Sequence, residues 1–107
     1  NSELSFIGHI TEQALSEVRV DRVFMGVRGL SIEQGLTNDY LSETLTDRAI
    51  LKIGREVVIV ADHTKVNRVS TAFLASLNVI HKLVTDSAAD KGFVRELKKQ
   101  GVDVMVV

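Results

Sequence analysis

The stretch V-V-I-V-A-D-H-T-K (57–65) decides the fold. Its first part, residues 57–61, is apolar without alternation and rich in β-branched side chains. An uninterrupted run of this kind is what a strand covered on both faces needs, as in a parallel sheet. Its second part, residues 62–65, is polar and follows the strand directly. Because ligands of open parallel sheets bind outside the carboxyl ends of the strands, these residues mark a candidate site.

The pattern on either side of this stretch alternates between strand and helix. We predict further strands at 23–27, 83–85 and 102–107, and helices at about 8–18, 40–54 and 88–100. Glycine-bearing polar residues predict a loop at 29–39, and residues 72–77 are expected to form a short helical turn. Strands that alternate with helices indicate the α/β class. We therefore expect one domain, residues 1–107, with a layered, parallel, Rossmann-like sheet flanked by helices.

The composition is that of a packed domain. The 107 residues are 45% hydrophobic and 25% charged, and the net charge is −1. This balance gives no electrostatic footprint for nucleic acid, so contact with DNA would need a further domain in a longer protein. The absence of cysteine excludes disulfides and thiol catalysis and fits a reducing cytoplasm. No apolar run approaches the roughly 20 residues of a membrane span, so no membrane partner is expected.

Several kinds of catalytic and cofactor site lack support in the sequence. The histidines at 9, 63 and 81 have no spacing suited to a shared metal ion. Neither glycine-rich nucleotide-binding motif is present, and neither is the nucleophile elbow of serine hydrolases. We therefore expect no metal, no cofactor and no catalytic residue.

Residues 62–65 bring together an acid, an imidazole from His63, a hydroxyl and an ammonium group. Lys65 could supply a positive charge for a phosphate and Thr64 a hydroxyl donor, with Asp62 orienting either of them. A solvated turn in which Asp62 acts as a cap is the alternative. The spacing alone leaves both interpretations open.

Two glycine corners lie between the first strand and the next helix. Gly26-Val27-Arg28-Gly29 follows the strand, and Gly35-Leu36-Thr37 comes shortly before the helix. Glycine permits close approach of the backbone to a ligand, but it serves any tight turn equally well.

The helix predicted at 40–54 has an apolar and an acidic set of side chains. Leu41, Leu45 and Ala49 are spaced by four residues, which places them in the core, and Asn38 or Asp39 is the expected cap. Glu43 and Asp47 share another face, one turn apart. Their spacing favours a solvated face, although paired carboxylates can also serve acid–base chemistry.

Several of these segments, taken in order, resemble the sensor domain of DeoR-type bacterial regulators. They are S-F-I-G (5–8), V-F-M-G-V-R-G-L (23–30), G-L-T (35–37), E-x-x-x-x-R-A-I (43–50), V-V-I-V-A-D-H-T-K (57–65) and L-V-T-D (83–86). Each segment is short, but the ordered set extends from about Ser5 to Val107. Its most specific part is A-D-H-T-K after an apolar strand.

The resemblance implies the carboxyl-terminal portion of an effector-sensing domain with the fold of ribose-5-phosphate isomerase and the coenzyme A transferases. Regulators of this type are usually repressors, and they bind operator DNA through an amino-terminal helix-turn-helix domain that this chain lacks. A phosphorylated sugar or related metabolite weakens DNA binding, typically through a change in the oligomer. We therefore expect such an effector, a cytoplasmic location and a homo-oligomer. The alternatives are a fragment of a sugar-phosphate isomerase or coenzyme A transferase-like enzyme, or a piece that mainly oligomerises through uncovered sheet surface.

The resemblance also selects the residues that we expect to contact the effector. They are Arg28, Gly29, Thr37, Glu43, Arg48, Asp62, His63, Thr64 and Lys65. Lys65 is favoured as a ligand contact, whereas Arg48 could instead tie its helix to the following loop.

The chain departs from the family pattern at several points. The glycine- and threonine-rich loop that holds the effector phosphate in the family is not in it, so we expect only part of the pocket. Arg28 stands where relatives often have a small or acidic residue, and an acid there would suit isomerase-like proton transfer. Val66-Asn67 replaces a frequent Phe-Gly, and Asp47 replaces a frequently basic neighbour of Arg48.

Overall fold

The elements of the fold follow from a computed structural model that describes residues 13–15 and 17–107. In chain order they are β1 (Val20–Gly26), β2 (Gly29–Ser31), β3 (Gly35–Asn38), α1 (Leu41–Ile53), β4 (Gly54–Val60), β5 (Ala72–Ala75), β6 (Lys82–Thr85), α2 (Lys91–Lys99) and β7 (Asp103–Val106). Single 3-10 turns lie at His63–Lys65 and Leu77–Val79. Of the predicted helix 8–18, residues 13–15 are helical and 17–18 are not, and the remainder lies outside the described residues.

A parallel sheet of four strands, in the order β1-β4-β6-β7, forms the centre of the molecule. The expected α/β class with a layered parallel sheet is therefore confirmed. One face of this sheet belongs to the core, where Val23, Ile59 and Leu83 join Phe93 and Leu97 of α2 in one apolar cluster.

The opposite face of the sheet is largely open to solvent. Phe24, Val60 and Met105 are 67%, 48% and 46% exposed. The apolar run predicts that β4 is buried on both faces. Val57, Val58 and Ile59 are indeed buried, but Val60 is exposed.

A second, antiparallel sheet of three strands, in the order β2-β3-β5, corrects two expectations. The loop predicted at 29–39 is wrong, because β2 and β3 form a hairpin in which every strand residue is buried. Polar composition suggested a loop, but Ser31 accepts a hydrogen bond from the Gln34 amide within the hairpin, and Thr37 accepts one from the amide of Ser70, before β5. The helical turn predicted at 72–77 is also wrong, because Ala72–Ala75 is a strand.

Helix α1 buries a different face from the predicted one. Leu41 and Leu45 are 62% and 40% exposed, so their placement in the core is wrong, and Ala49 is half-buried. The buried residues are Thr44, Leu51 and Ile53. Thr44 is completely buried because its hydroxyl donates a 2.7 Å hydrogen bond to the carbonyl of Tyr40, one turn earlier. A satisfied hydroxyl costs little to bury, and a pattern based on apolar residues overlooks it.

Candidate functional site

A cleft of about 580 Å³ lies at the carboxyl ends of β1 and β4. The start of α1 and the residues before it close one side, and the 3-10 turn after β4 contributes the other. Its lining residues are Gly26, Val27, Arg28, Asn38, Asp39, Tyr40, Glu43, Asp47, Val60, Ala61, Asp62 and Lys65. Its position agrees with the rule that open parallel sheets bind ligands at this edge, and its volume suits a small metabolite.

The cleft brings together four of the nine residues expected to contact an effector. Arg28, Glu43, Asp62 and Lys65 line it although they come from three separate segments of the chain. The other five do not line it: Gly29, Thr37, Arg48, His63 and Thr64.

Asp62 has a local structural role in addition to its place in the cleft. Its Oδ1 accepts hydrogen bonds from the backbone amide of Thr64, at 2.8 Å, and from the Thr64 hydroxyl. These two bonds hold the pKa of Asp62 below its ordinary value. Asp62 is therefore the cap of the 3-10 turn that presents Lys65, so the two interpretations of residues 62–65 are compatible.

His63 faces away from the cleft towards the loop after β6. Its backbone amide donates to Asp86 Oδ2, and its Nδ1 lies at 3.0 Å from the same oxygen. Both contacts lower the pKa of Asp86, the backbone bond more strongly. The pair ties the turn at the end of β4 to the end of β6, and so fixes the backbone that holds Lys65.

Arg48 binds the backbone of the second sheet. Its guanidinium donates to the carbonyls of Leu74, at 3.0 Å, and Phe73, at 2.6 Å. The side chain thus ties α1 to β5, which matches the structural alternative for this residue.

Gly29 and Thr37 pack against the segment that follows the cleft turn. A side chain at Gly29 would lie 2.5 Å from the Arg68 carbonyl oxygen and from Thr37 Oγ1. Thr37 is buried, and its Oγ1 accepts a 2.8 Å hydrogen bond from the amide of Ser70. Close approach at Gly29 therefore serves packing of the chain on itself.

The sequence analysis missed Asn38 as part of the cleft. Asn38 does not cap α1, whose first residue is preceded by Tyr40 without a side-chain cap. Instead, Asn38 Oδ1 accepts from the backbone amide of Arg28 at 3.1 Å, and its Nδ2 donates to Asp47 Oδ2 at 3.1 Å. An asparagine directly after Gly-Leu-Thr carried no signal for this role, because its two partners are 10 and 9 residues away.

Asp47 is an acid of the cleft whose pKa is raised. Burial raises the pKa of its carboxyl, the nearby Glu43 carboxylate raises it further, and the hydrogen bond from Asn38 opposes both. The expected solvated face of α1 is thus half-buried at Asp47 and exposed at Glu43.

The loop after Lys65 keeps a left-handed residue in spite of its departure from the family pattern. Asn67, which replaces the frequent glycine, has φ +61°. Asparagine is among the few non-glycine residues that adopt this conformation readily. Its side chain donates a 2.8 Å hydrogen bond to Asp90, the cap of α2.

In the part of the chain that the structure describes, no group of three or more His, Asp or Glu side chains is suited to holding a metal ion. Nor is any helix there long and apolar enough to cross a membrane.

Fold and cleft together define an α/β small-molecule-binding domain. The chain belongs to the family of DeoR C-terminal sensor domains, whose family model matches residues 1–87. The resemblance noted in the sequence is thereby confirmed.

Curated relatives are named as transcriptional regulators. The HTH-type transcriptional regulator GolR of Listeria innocua is 28% identical over 92% of this chain and 39% of its own length. The putative aga operon transcriptional repressor of Escherichia coli O157:H7 is 27% identical, over 96% of this chain and 38% of its own. The HTH-type transcriptional repressor GlcR of Bacillus subtilis is 32% identical, over 88% and 36%. The chain thus spans about two fifths of the length of the relatives it matches.

Proposed function

We propose that this domain binds a phosphorylated sugar and thereby modulates operator binding by a DeoR-type repressor in the bacterial cytoplasm. The observation that carries the proposal is the cleft at the carboxyl ends of β1 and β4, where Lys65 lies among carboxylate and amide groups. An ammonium group attracts a phosphate, and carboxylates and amides accept the hydrogen bonds that sugar hydroxyls donate. Contact with DNA belongs to the helix-turn-helix for which the relatives are named.

The role we propose is binding and not catalysis. The enzyme alternative needs a general base in the cleft, for which Glu43 and Asp62 are the candidates. The Thr64 hydrogen bonds lower the pKa of Asp62, which makes it a weak base. Arg28 occupies the turn where an acid would suit proton transfer. A binding domain can still control a regulator, because an effector shifts an equilibrium when it binds one state better than the other.

Operator binding by the whole regulator, followed by fluorescence anisotropy during titration with sugar phosphates, tests the proposal. We expect one sugar phosphate to release the operator. Lys65→Ala should weaken that response by on the order of tenfold or more, because a charge-assisted contact to phosphate is lost. Lys98→Ala, on the exposed side of α2, is the matched control and should respond like the wild type. No response across a broad panel, or turnover of the added phosphate in the same samples, contradicts the proposal.

We also propose that the open sheet face associates with a second copy of the chain. Its centre is apolar, with Phe24, Val60 and Met105 exposed. Charges of alternating sign follow one another across the four strands towards their amino-terminal ends: Arg22, Glu56, Lys82 and Asp103. A face-to-face copy in which the strand order is reversed sets opposite charges against each other, which favours self-association.

Light scattering should show a dimer or larger assembly that Phe24→Lys dissociates. A wild-type protein that stays monomeric over a wide concentration range contradicts this.

A further inference from the structure

Two elements that line the cleft differ in the charges they bear. Lys65 lies on the turn after β4, and its ammonium helps to lower the pKa of Asp62. Glu43 and Asp47 lie one turn apart on α1, and the charge that acts on Asp47 is that of Glu43. The turn after β4 thus bears Lys65 beside the carboxylate of Asp62, whereas α1 contributes two neighbouring carboxylates and no cation to the cleft.

The second cation of the cleft is already matched by an acid. Arg28 Nε lies 3.6 Å from Asp39 Oδ2. Among the described residues, by contrast, Lys65 forms no ion pair with a carboxylate. The Lys65 ammonium group, which has the Asp62 carboxylate nearby but not in an ion pair, is therefore available to an anionic ligand.

The orientation of the Asn38 amide determines what Asp47 can bind. The backbone N–H of Arg28 is a donor, so the Asn38 oxygen must face it, and the Asn38 NH₂ group then faces Asp47. This bond occupies Oδ2 of Asp47 and holds its carboxyl group in place at the cleft wall. An ionised carboxylate only accepts hydrogen bonds, so its remaining lone pairs suit hydroxyl donors and repel an anion.

We propose that the Asn38–Asp47 pair determines the specificity of this cleft: it binds hydroxyl groups of the effector and, with Glu43, excludes a second anionic group. The effector is then a polyol with a single phosphate, which lies at Lys65, while its unphosphorylated end meets α1. This inference rests on the proposed function of the cleft as an effector site.

Matched pairs of ligands and a charge-reversed variant test the inference. The probes are the monophosphates of ribose, glucose and fructose, each beside the bisphosphate of the same sugar, with inorganic phosphate as a further probe. Binding to the whole regulator is measured by calorimetry for the wild type, Asp47→Asn, Asp47→Lys and Asp21→Asn. Asp47→Asn is nearly isosteric and can keep an oxygen towards Asn38. Asp21 is exposed on β1 and does not line the cleft, so its variant is the matched control.

We expect the wild type and Asp21→Asn to prefer one monophosphate over its bisphosphate by at least about tenfold, since like charges at close range are strongly disfavoured. Asp47→Asn should reduce that preference and weaken binding of the monophosphate. Asp47→Lys should abolish or reverse the preference. If wild type and Asp47→Lys bind a sugar monophosphate and its bisphosphate in the same ratio, this inference is wrong and the proposed function stands. If the wild type binds none of the sugar phosphates, the proposed function itself fails, and the inference with it.

Discussion

Asn67 shows how a residue other than glycine can occupy a left-handed position in a loop. Its positive φ is costly for most side chains, and its amide compensates by binding Asp90 at the start of α2. The departure from Phe-Gly suggested a changed loop. The left-handed backbone is present nonetheless, because asparagine tolerates it. The sequence shows that position 67 is an asparagine. It does not show the side-chain bond to Asp90, 23 residues away, that accompanies the left-handed backbone of Asn67.

Substitution of Asn67 separates the backbone cost from the side-chain bond. Asn67→Ala should destabilise the protein by about 1–2 kcal/mol, because alanine loses the bond to Asp90 and pays for a left-handed backbone. Asn67→Gly loses the same bond but adopts the positive φ freely, so it should be less destabilising. Urea denaturation of both variants measures the difference. An alanine variant as stable as the glycine variant would show that the backbone conformation is not what selects the residue.

At the scale of the element, α1 shows why apolar periodicity predicted the wrong buried face. Its inward positions, at spacings of three and four, are Thr44, Asp47, Arg48 and Leu51, and three of these four are polar. Each polar side chain has a partner: a carbonyl one turn earlier for Thr44, Asn38 for Asp47 and the β5 carbonyls for Arg48. The apolar spacing of Leu41 and Leu45 pointed to the opposite face. Those partners come from other segments, so the sequence of α1 alone could not reveal them.

In contrast to the buried face of α1, the central strand was predicted correctly from the sequence. The apolar run at 57–61 correctly placed β4 inside a parallel sheet, because consecutive buried, β-branched residues mark a central strand even where one face is open at Val60. From that strand, the rule for carboxyl ends located the cleft and four of its residues. Asn38 and Asp47 stayed hidden, because β2 and β3 looked like a loop and α1 was turned the wrong way.

At the scale of the whole molecule, the carboxyl edge of the sheet is held by a series of capping aspartates. Asp62 caps the turn after β4, Asp86 binds His63, and Asp90 binds Asn67 and caps α2. Hydrogen bonds to the ionised form lower the pKa of all three carboxyls. The largest contribution comes from Thr64 at Asp62, from His63 at Asp86 and from Asn67 at Asp90. Asp47 is the opposite case, since burial raises its pKa.

These opposite shifts predict a pH dependence of folding with a sign for each group. A lowered pKa contributes stability above the ordinary aspartate pKa, and this contribution is lost as the pH falls through the folded-state value. Asp86→Asn should therefore lower the free energy of unfolding at neutral pH, and the difference from wild type should shrink on acidification.

A raised pKa has the reverse effect, because ionisation of Asp47 costs stability as the pH rises through its folded-state value. Asp47→Asn should thus be slightly more stable than wild type at neutral pH and not in acid. Urea denaturation of the three proteins between neutral and acidic pH measures these differences. If Asp47→Asn is instead the less stable protein at neutral pH, the Asp47 carboxylate stabilises the fold. A structural role would then account for an acid at this half-buried position, and a role in selecting the effector would not be needed to explain it.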